Sequence, residues 1–167
     1  MNVINRTRDG ALAGAFDLLP ERMAGARAEA MLLAIGLQES LLIHRRQLGG
    51  PARGLLQFET GGVRGVLEHP ASRQLARAVC IDRGIVPTTT AVYAALEHDD
   101  VLAMAIGRLL LWTDPKPLPE LGDGNAAWQL YLRTWRPGAA ERDHDNLQKK
   151  FHGNYARACA AVTENAP

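Results

Sequence analysis

The sequence predicts a mainly α-helical protein that folds as a single domain. Its 167 residues are enough to bury a core, and its hydrophobic fraction of 47% is ordinary for a globular protein. Good helix formers and apolar residues at helical spacing recur along most of the chain, with no repeats and no clear run of alternating strands. We therefore expect one domain over residues 1–167, with at most a small β-hairpin within residues 45–60.

The first half of the chain predicts two helices followed by breaks. A short helix is expected over residues 10–19, and residues 21–44 form the strongest helical segment because they are rich in Ala, Leu, Met and Glu. Residues 49–51, Gly-Gly-Pro, end any helix, since proline lacks a backbone donor and glycine is conformationally permissive. Gly61-Gly62 predicts a second break, before a short helical piece that ends at Glu68.

The second half predicts five further helices. Ser72 and the pair Asp99-Asp100 are suitable N-caps, because their side-chain oxygens can accept hydrogen bonds from backbone N–H groups. The helix after Asp100 is apolar enough to be buried on most sides, and a proline-rich loop over residues 114–119 follows it. The predicted helices cover residues 73–83, 87–97, 101–112, 125–135 and 144–163.

The charge balance argues against several classes of partner. Lys and Arg number 19 and Asp and Glu 18, so the formal net charge is +1, whereas nucleic-acid and anionic-membrane binders normally carry a strong basic excess. No window approaches the ~18 apolar residues that a membrane span needs. The N-terminus lacks the basic start and apolar stretch of a signal peptide. We expect no nucleic-acid partner, no membrane span, and synthesis in the cytoplasm without a signal peptide.

Cysteine, histidine and glycine patterns predict neither a metal nor a cofactor. Cys80 and Cys159 lie far apart in apolar helical contexts, which is typical of buried thiols. The five histidines form no compact ligand set, and Asp143-His144-Asp145 is either a metal-binding run or, as we expect, a solvated helix start. No glycine-rich segment matches a phosphate-binding or dinucleotide-binding loop.

Glu39 is the residue that most strongly suggests chemistry. An ionised carboxylate on an apolar helix face is costly, so it either finds partners or is protonated. A protonated carboxyl group near neutral pH is what glycosidic cleavage needs to protonate the leaving oxygen. The alternative is that Glu39 reaches solvent or pairs with Arg45, Arg46 or Arg53. Its helical neighbours three and four positions away on either side, and seven positions before it, are apolar: Leu32, Ile35, Gly36, Leu42 and Ile43.

The segment around Glu39 resembles the core motif of a known superfamily. Glu39-Ser40 is followed, 15 residues after the glutamate, by Gly54-Leu55-Leu56-Gln57, with Ala52 just before it. This pattern resembles that of lytic transglycosylases and related goose-type lysozymes, in which a Glu-Ser at a helix end precedes a Gly-Leu-Met-Gln segment. Leu56 replaces the methionine, a change that conserves volume. The resemblance is specific over residues 36–57 and faint elsewhere.

The resemblance implies a lysozyme-like fold and cleavage of the β-1,4 bond between N-acetylmuramic acid and N-acetylglucosamine in peptidoglycan. Glu39 would be the catalytic acid, Ser40 would form a hydrogen bond near it, and Gln57 would line the substrate groove. A transglycosylase of this kind needs one glutamate, whereas an inverting hydrolase needs a second carboxylate to activate water. Glu59 is the nearby candidate, its alternative being a surface or capping carboxylate, so lyase and hydrolase both stay open.

Other residues have two interpretations each. The family's Ala-Tyr-Asn-Ala-Gly segment, whose tyrosine approaches the catalytic glutamate, has no counterpart; the nearest segment is residues 125–129, Asn-Ala-Ala-Trp-Gln. Trp128, Tyr131 and Trp135 share one helical stripe, which is either a sugar-stacking wall or a core-packing face. Tyr131 is the best candidate for a groove residue because its hydroxyl needs a polar partner. The three arginines Arg45, Arg46 and Arg53 are either surface charges or contacts for substrate carboxylates.

Three functional hypotheses follow. The first is a phage or prophage enzyme that cleaves peptidoglycan, acting at the cell wall after holin-dependent release or as a virion component. The second is a non-catalytic glycan-binding or structural virion protein with the same fold, which the missing Ala-Tyr-Asn-Ala-Gly segment favours. The third is an unrelated all-α interaction module whose match over residues 36–57 is a coincidence. A net charge near zero is compatible with a neutral polysaccharide ligand.

Overall fold

A computed structural model describes residues 2–136 and 144–164. Helices dominate these residues, which confirms the mainly α prediction, and buried apolar side chains from all the helices form one continuous core. A π-helical turn, Arg8–Leu12, joins α1 to α2, and a 3-10 turn, Glu21–Met23, precedes α3. The α-helices are α1 (Val3–Thr7), α2 (Ala13–Asp17), α3 (Ala26–Ser40), α4 (Thr60–Glu68), α5 (Arg73–Asp82), α6 (Thr89–Ala95), α7 (Asp100–Trp112), α8 (Gly124–Trp135) and α9 (His144–Thr163).

Helix α3 lies in the centre of the core and carries the strongest predicted segment. Every residue from Met31 to Leu37 is buried, because α3 packs along α9 on one side and against α7 on another. A buried hydrogen bond of 2.9 Å from Asn154 Nδ2 to Gln38 Oε1 links α9 to α3. A helix enclosed on all sides gives its C-terminal residues a fixed position.

Helix α7 is buried as predicted and is capped by Asp99, whose side chain accepts a 2.9 Å hydrogen bond from Leu102 N. Its Gly107 allows close packing on the segment that follows α3. A Cβ atom at Gly107 would lie 2.2 Å from Leu56 Cδ1 and 3.2 Å from Leu32 Cδ2. The absence of a side chain at Gly107 therefore lets Leu56 enter the core between α3 and α7.

Several helix boundaries differ from the prediction. The long helix predicted over residues 21–44 is shorter at both ends, because a 3-10 turn precedes α3, which begins at Ala26 and ends at Ser40. The predicted break at Gly61-Gly62 is wrong, since α4 runs through both glycines from Thr60 to Glu68. Each glycine costs about 1 kcal/mol of helix propensity, but α4 buries Val63 and Val66, and tertiary packing supplies most of the stability of a helix in a folded protein. The first helical segment also begins earlier than residue 10, because Asn2 caps α1 by accepting from Asn5 N at 2.9 Å.

Ser72 occupies the predicted N-cap position of α5 but uses its hydroxyl differently. The hydroxyl donates a 2.7 Å hydrogen bond to the carbonyl of Val66, and the residue is fully buried. Ser72 therefore joins α5 to α4 instead of capping α5 through its side chain.

The predicted hairpin is reduced to isolated bridges. Leu41 and Leu42, with φ of 58° and 57°, end α3 in the left-handed region. Arg53 then forms antiparallel bridges with Arg46 and with Phe58. The described part of the chain contains no strand longer than such a single bridge. None of the described helices is both long and apolar enough to cross a membrane.

Candidate active site

Glu39 lies in the last turn of α3 and is half-buried. The hydroxyl of Tyr131, on α8, donates a hydrogen bond of 2.5 Å to Glu39 Oε1. The Tyr131 side chain is 1% exposed, and its ring stacks on Phe151 of α9 with centroids 4.8 Å apart. Because the Tyr131 ring is buried and stacked, its hydroxyl has little freedom to move, and its hydrogen bond orients the Glu39 carboxyl group.

Ser40 connects the end of α3 to the segment at residues 54–57. Its Oγ lies 2.6 Å from the carbonyl oxygen of Leu55, to which it donates, and it accepts a 3.2 Å hydrogen bond from Leu42 N. The residue is 3% exposed. The second half of the Glu-Ser and Gly-Leu-Leu-Gln pattern is therefore tied directly to the residue after Glu39.

Gln57 closes a tight turn that begins at Gly54. The carbonyl of Gly54 accepts from both the backbone N of Gln57, at 3.0 Å, and its Nε2, at 2.9 Å. Gln57 is half-buried with a left-handed φ of 51°. Gly54 has a φ of 75°, and a Cβ there would lie 2.7 Å from the carbonyl oxygen of Leu96, so only glycine fits this turn without strain.

Helix α8 contacts this turn as well as Glu39. The indole Nε1 of Trp135 donates a 3.0 Å hydrogen bond to the carbonyl of Leu56, and its ring lies 5.6 Å from that of Phe58. Of the two interpretations of the aromatic stripe, burial favours core packing for Trp128, which is 3% exposed, and for the ring of Tyr131. The sequence spacing placed these residues on one face, but it did not indicate that this face meets Glu39 and Leu56.

Glu59 is exposed and occupies the N-cap position of α4. Its carbonyl accepts from Gly62 N at 3.1 Å and from Val63 N at 3.2 Å, while its carboxylate makes no capping bond. Its role as a second acid stays a prediction.

The arginines that follow α3 are paired with carboxylates near the start of α7. Arg45 forms two hydrogen bonds, of 2.7 and 2.5 Å, with Asp100, and these raise the pKa of Arg45 above its usual value. Arg53 lies 3.1 Å and Arg46 3.7 Å from oxygens of Glu97. These pairs hold the 45–53 segment against the α6–α7 junction and give the arginines a structural role.

No group of three or more potential metal-ligating side chains occurs within residues 2–136 and 144–164. Of the Asp143-His144-Asp145 run, Asp143 lies outside the described residues, while the other two begin α9.

A comparison of this chain with protein-family models, with characterised proteins and with solved structures finds no match. We therefore infer function from the geometry of residues 36–57 and of α8.

Proposed function

We propose that this protein cleaves the β-1,4 bond between N-acetylmuramic acid and N-acetylglucosamine in peptidoglycan, with Glu39 as the catalytic residue. The observation that carries the proposal is the hydrogen bond between Tyr131 and Glu39. It links a half-buried carboxyl group at a helix end to a tyrosine hydroxyl, although the residues are 92 positions apart. A tyrosine near the catalytic glutamate is also a feature of the superfamily that residues 36–57 resemble.

The proposed reaction needs one carboxyl group in two protonation states. Glu39 first donates its proton to the glycosidic oxygen as the bond from that oxygen to C1 breaks. The resulting carboxylate then takes the proton of the sugar's own 6-hydroxyl, whose oxygen bonds to C1 and closes an anhydro ring. No water is consumed, and the proton lost by Glu39 is replaced. The Tyr131 hydroxyl stabilises the ionised state between the two steps, because a hydrogen bond to a charged acceptor is stronger than one to a neutral acceptor.

We favour the transglycosylase outcome over hydrolysis. The intramolecular hydroxyl has the proximity advantage of an internal nucleophile, and the contacts described above support Glu39 alone. Glu59, exposed at the start of α4, is the candidate base if water is the acceptor instead. The lysozyme-like fold, a peptidoglycan partner, and action at the cell wall in a phage or prophage setting are parts of this proposal.

A second candidate function is a structural virion protein or non-catalytic glycan binder. Three exposed apolar side chains within eight residues of sequence just beyond α3 favour it, because exposed apolar surface can mark a contact site. Leu41 is 48%, Ile43 53% and Leu48 99% exposed.

The test is digestion of purified peptidoglycan by the wild type and two matched variants, Glu39→Gln and Glu59→Gln, with mass spectrometry of the product ends. We expect anhydro ends from the wild type, a loss of about a thousandfold or more in Glu39→Gln, since general acid catalysis and ring closure are both removed, and near-normal activity in Glu59→Gln. Reducing ends, with Glu59→Gln inactive, would establish a hydrolase. A wild type that leaves the glycan intact across pH 4–8 would refute the enzymatic proposal, and co-sedimentation with glycan would then support the second candidate.

A further inference from the structure

Trp135 and Tyr131 lie one turn apart on α8 and contact the two halves of the candidate site. Tyr131 donates to Glu39 Oε1, and Trp135 donates to the carbonyl of Leu56, the residue just before Gln57. Positions i and i+4 face the same way on a helix, so a single rigid element fixes both contacts. Helix α8 and the Ser40–Leu55 hydrogen bond therefore together fix the carboxyl group relative to the Gln57 turn.

The turn at residues 54–57 is fixed at successive carbonyls. Ser40 donates to the carbonyl of Leu55, and Trp135 donates to the carbonyl of Leu56. The whole of Leu56 is buried, so its carbonyl depends on a protein donor more than an exposed carbonyl would. With both peptide planes held, and with its Nε2 bonded to the carbonyl of Gly54, Gln57 is restrained in its left-handed conformation.

We infer that Trp135 is a positioning residue for substrate binding, which holds Gln57 in the orientation that contacts the glycan. The inference rests on the proposed function and goes beyond it, because it gives a role to a tryptophan outside residues 36–57. The resemblance implies that Gln57 lines the substrate groove, and we expect its contact with the glycan to be equally strong in the bound substrate and in the transition state. Loss of the Trp135 hydrogen bond therefore raises KM and leaves kcat nearly unchanged.

The experiment compares Trp135→Phe with Trp112→Phe. Phenylalanine at position 135 keeps a ring beside Phe58 but removes the indole N–H. Trp112 is half-buried like Trp135 but lies at the end of α7, where its ring is 5.3 Å from the guanidinium carbon of Arg108. Kinetics are measured on soluble glycan strands freed of stem peptides, and hydrogen exchange is followed in the peptide that covers residues 54–58.

We expect Trp135→Phe to raise KM about tenfold, the factor that corresponds to the net loss of one hydrogen bond, with kcat unchanged within about threefold. We also expect Trp135→Phe to accelerate hydrogen exchange in residues 54–58. Trp112→Phe should change neither KM nor this exchange. Slow hydrogen exchange of the α3 backbone amides in the same variant shows that it is folded.

If the wild type cleaves glycan and Trp135→Phe behaves like Trp112→Phe in both measurements, the inference is overturned while the proposed function stands. A fall in kcat at unchanged KM also overturns it, because Trp135 would then act on the chemistry. A wild type that cleaves nothing overturns the proposed function, and the role of Trp135 is lost with it.

Discussion

Replacing Tyr131 by phenylalanine removes a single oxygen from the candidate site. The ring remains stacked on Phe151, at a centroid distance of 4.8 Å, so the core keeps its shape. The hydrogen bond from the hydroxyl to Glu39 is lost. A hydrogen bond contributes about 0.5–1.5 kcal/mol when its partners are neutral and about 1.5–3 kcal/mol when one is charged. Glu39 is half-buried, so water can partly replace the donor. A net loss of about 1–2 kcal/mol is therefore expected.

That loss has two measurable consequences. For a chain of this size each kcal/mol corresponds to about 2–4 °C in Tm, so thermal unfolding monitored by circular dichroism is expected to shift down by about 2–8 °C. If the same energy also orients the acid in the transition state, kcat on peptidoglycan falls by about 5- to 30-fold.

Tyr155→Phe is the matched control. Tyr155 is 2% exposed and also stacks on Phe151, but its hydroxyl donates a 3.1 Å hydrogen bond to the carbonyl of Glu120, a contact separate from the Glu39 contact. Tyr155→Phe should lower the free energy of unfolding by about 0.5–1.5 kcal/mol and leave kcat unchanged. A Tyr131→Phe variant with the Tm and the kcat of the wild type would refute this prediction. An equal loss of kcat in Tyr131→Phe and Tyr155→Phe would also refute it.

The other predictions concern packing and thiol reactivity. Gly107→Ala should lower the free energy of unfolding by about 1–3 kcal/mol in urea denaturation, because its Cβ would lie 2.2 Å from Leu56 Cδ1. Gly65, in α4, has open space around it, so Gly65→Ala should raise the free energy of unfolding by about 0.5–1 kcal/mol. Equal effects of the two substitutions would contradict the role of Gly107 in packing. Burial raises the pKa of the Cys80 thiol, so its thiolate is scarcer at a given pH. In the native protein, Ellman's reagent should therefore label the half-buried Cys159 first and Cys80 only on unfolding, and rapid labelling of both would show that the α5 region opens readily.

Local features of the sequence predicted much of the helical framework. The segment that became α3 is recognisable from its composition, and Asp99 caps α7 at the predicted position by accepting from Leu102 N. Helix α6 begins at Thr89, two residues after its predicted start, and is capped by Thr88, which accepts from Ala91 N. These interactions span three residues, which is why pattern and propensity detect them. Gly61-Gly62 misled the prediction because propensity does not include the burial of a helix face against the rest of the core.

The candidate site divides in the same way. Glu39, Ser40 and Gln57 are predicted from the motif over residues 36–57, and the 2.6 Å contact from Ser40 to Leu55 lies within it. The partner of Glu39 could not be chosen on sequence grounds, since Tyr131 lies 92 positions away and contact with Glu39 depends on how α8 is placed. The need of a tyrosine hydroxyl for a polar partner was the available signal, and it does not specify which partner.

The sequence by itself determined the helical class, the starts of α5, α7 and α8 and the presence of a carboxyl group at the end of an apolar helix, because propensity, capping and periodicity act within a few residues. Only the tertiary structure decided that α8 meets both Glu39 and the Gln57 turn, and that Trp128 is buried in the core. The physical reason is that contacts between helices are selected by the burial of apolar surface over the whole chain, which depends on residues far apart in sequence.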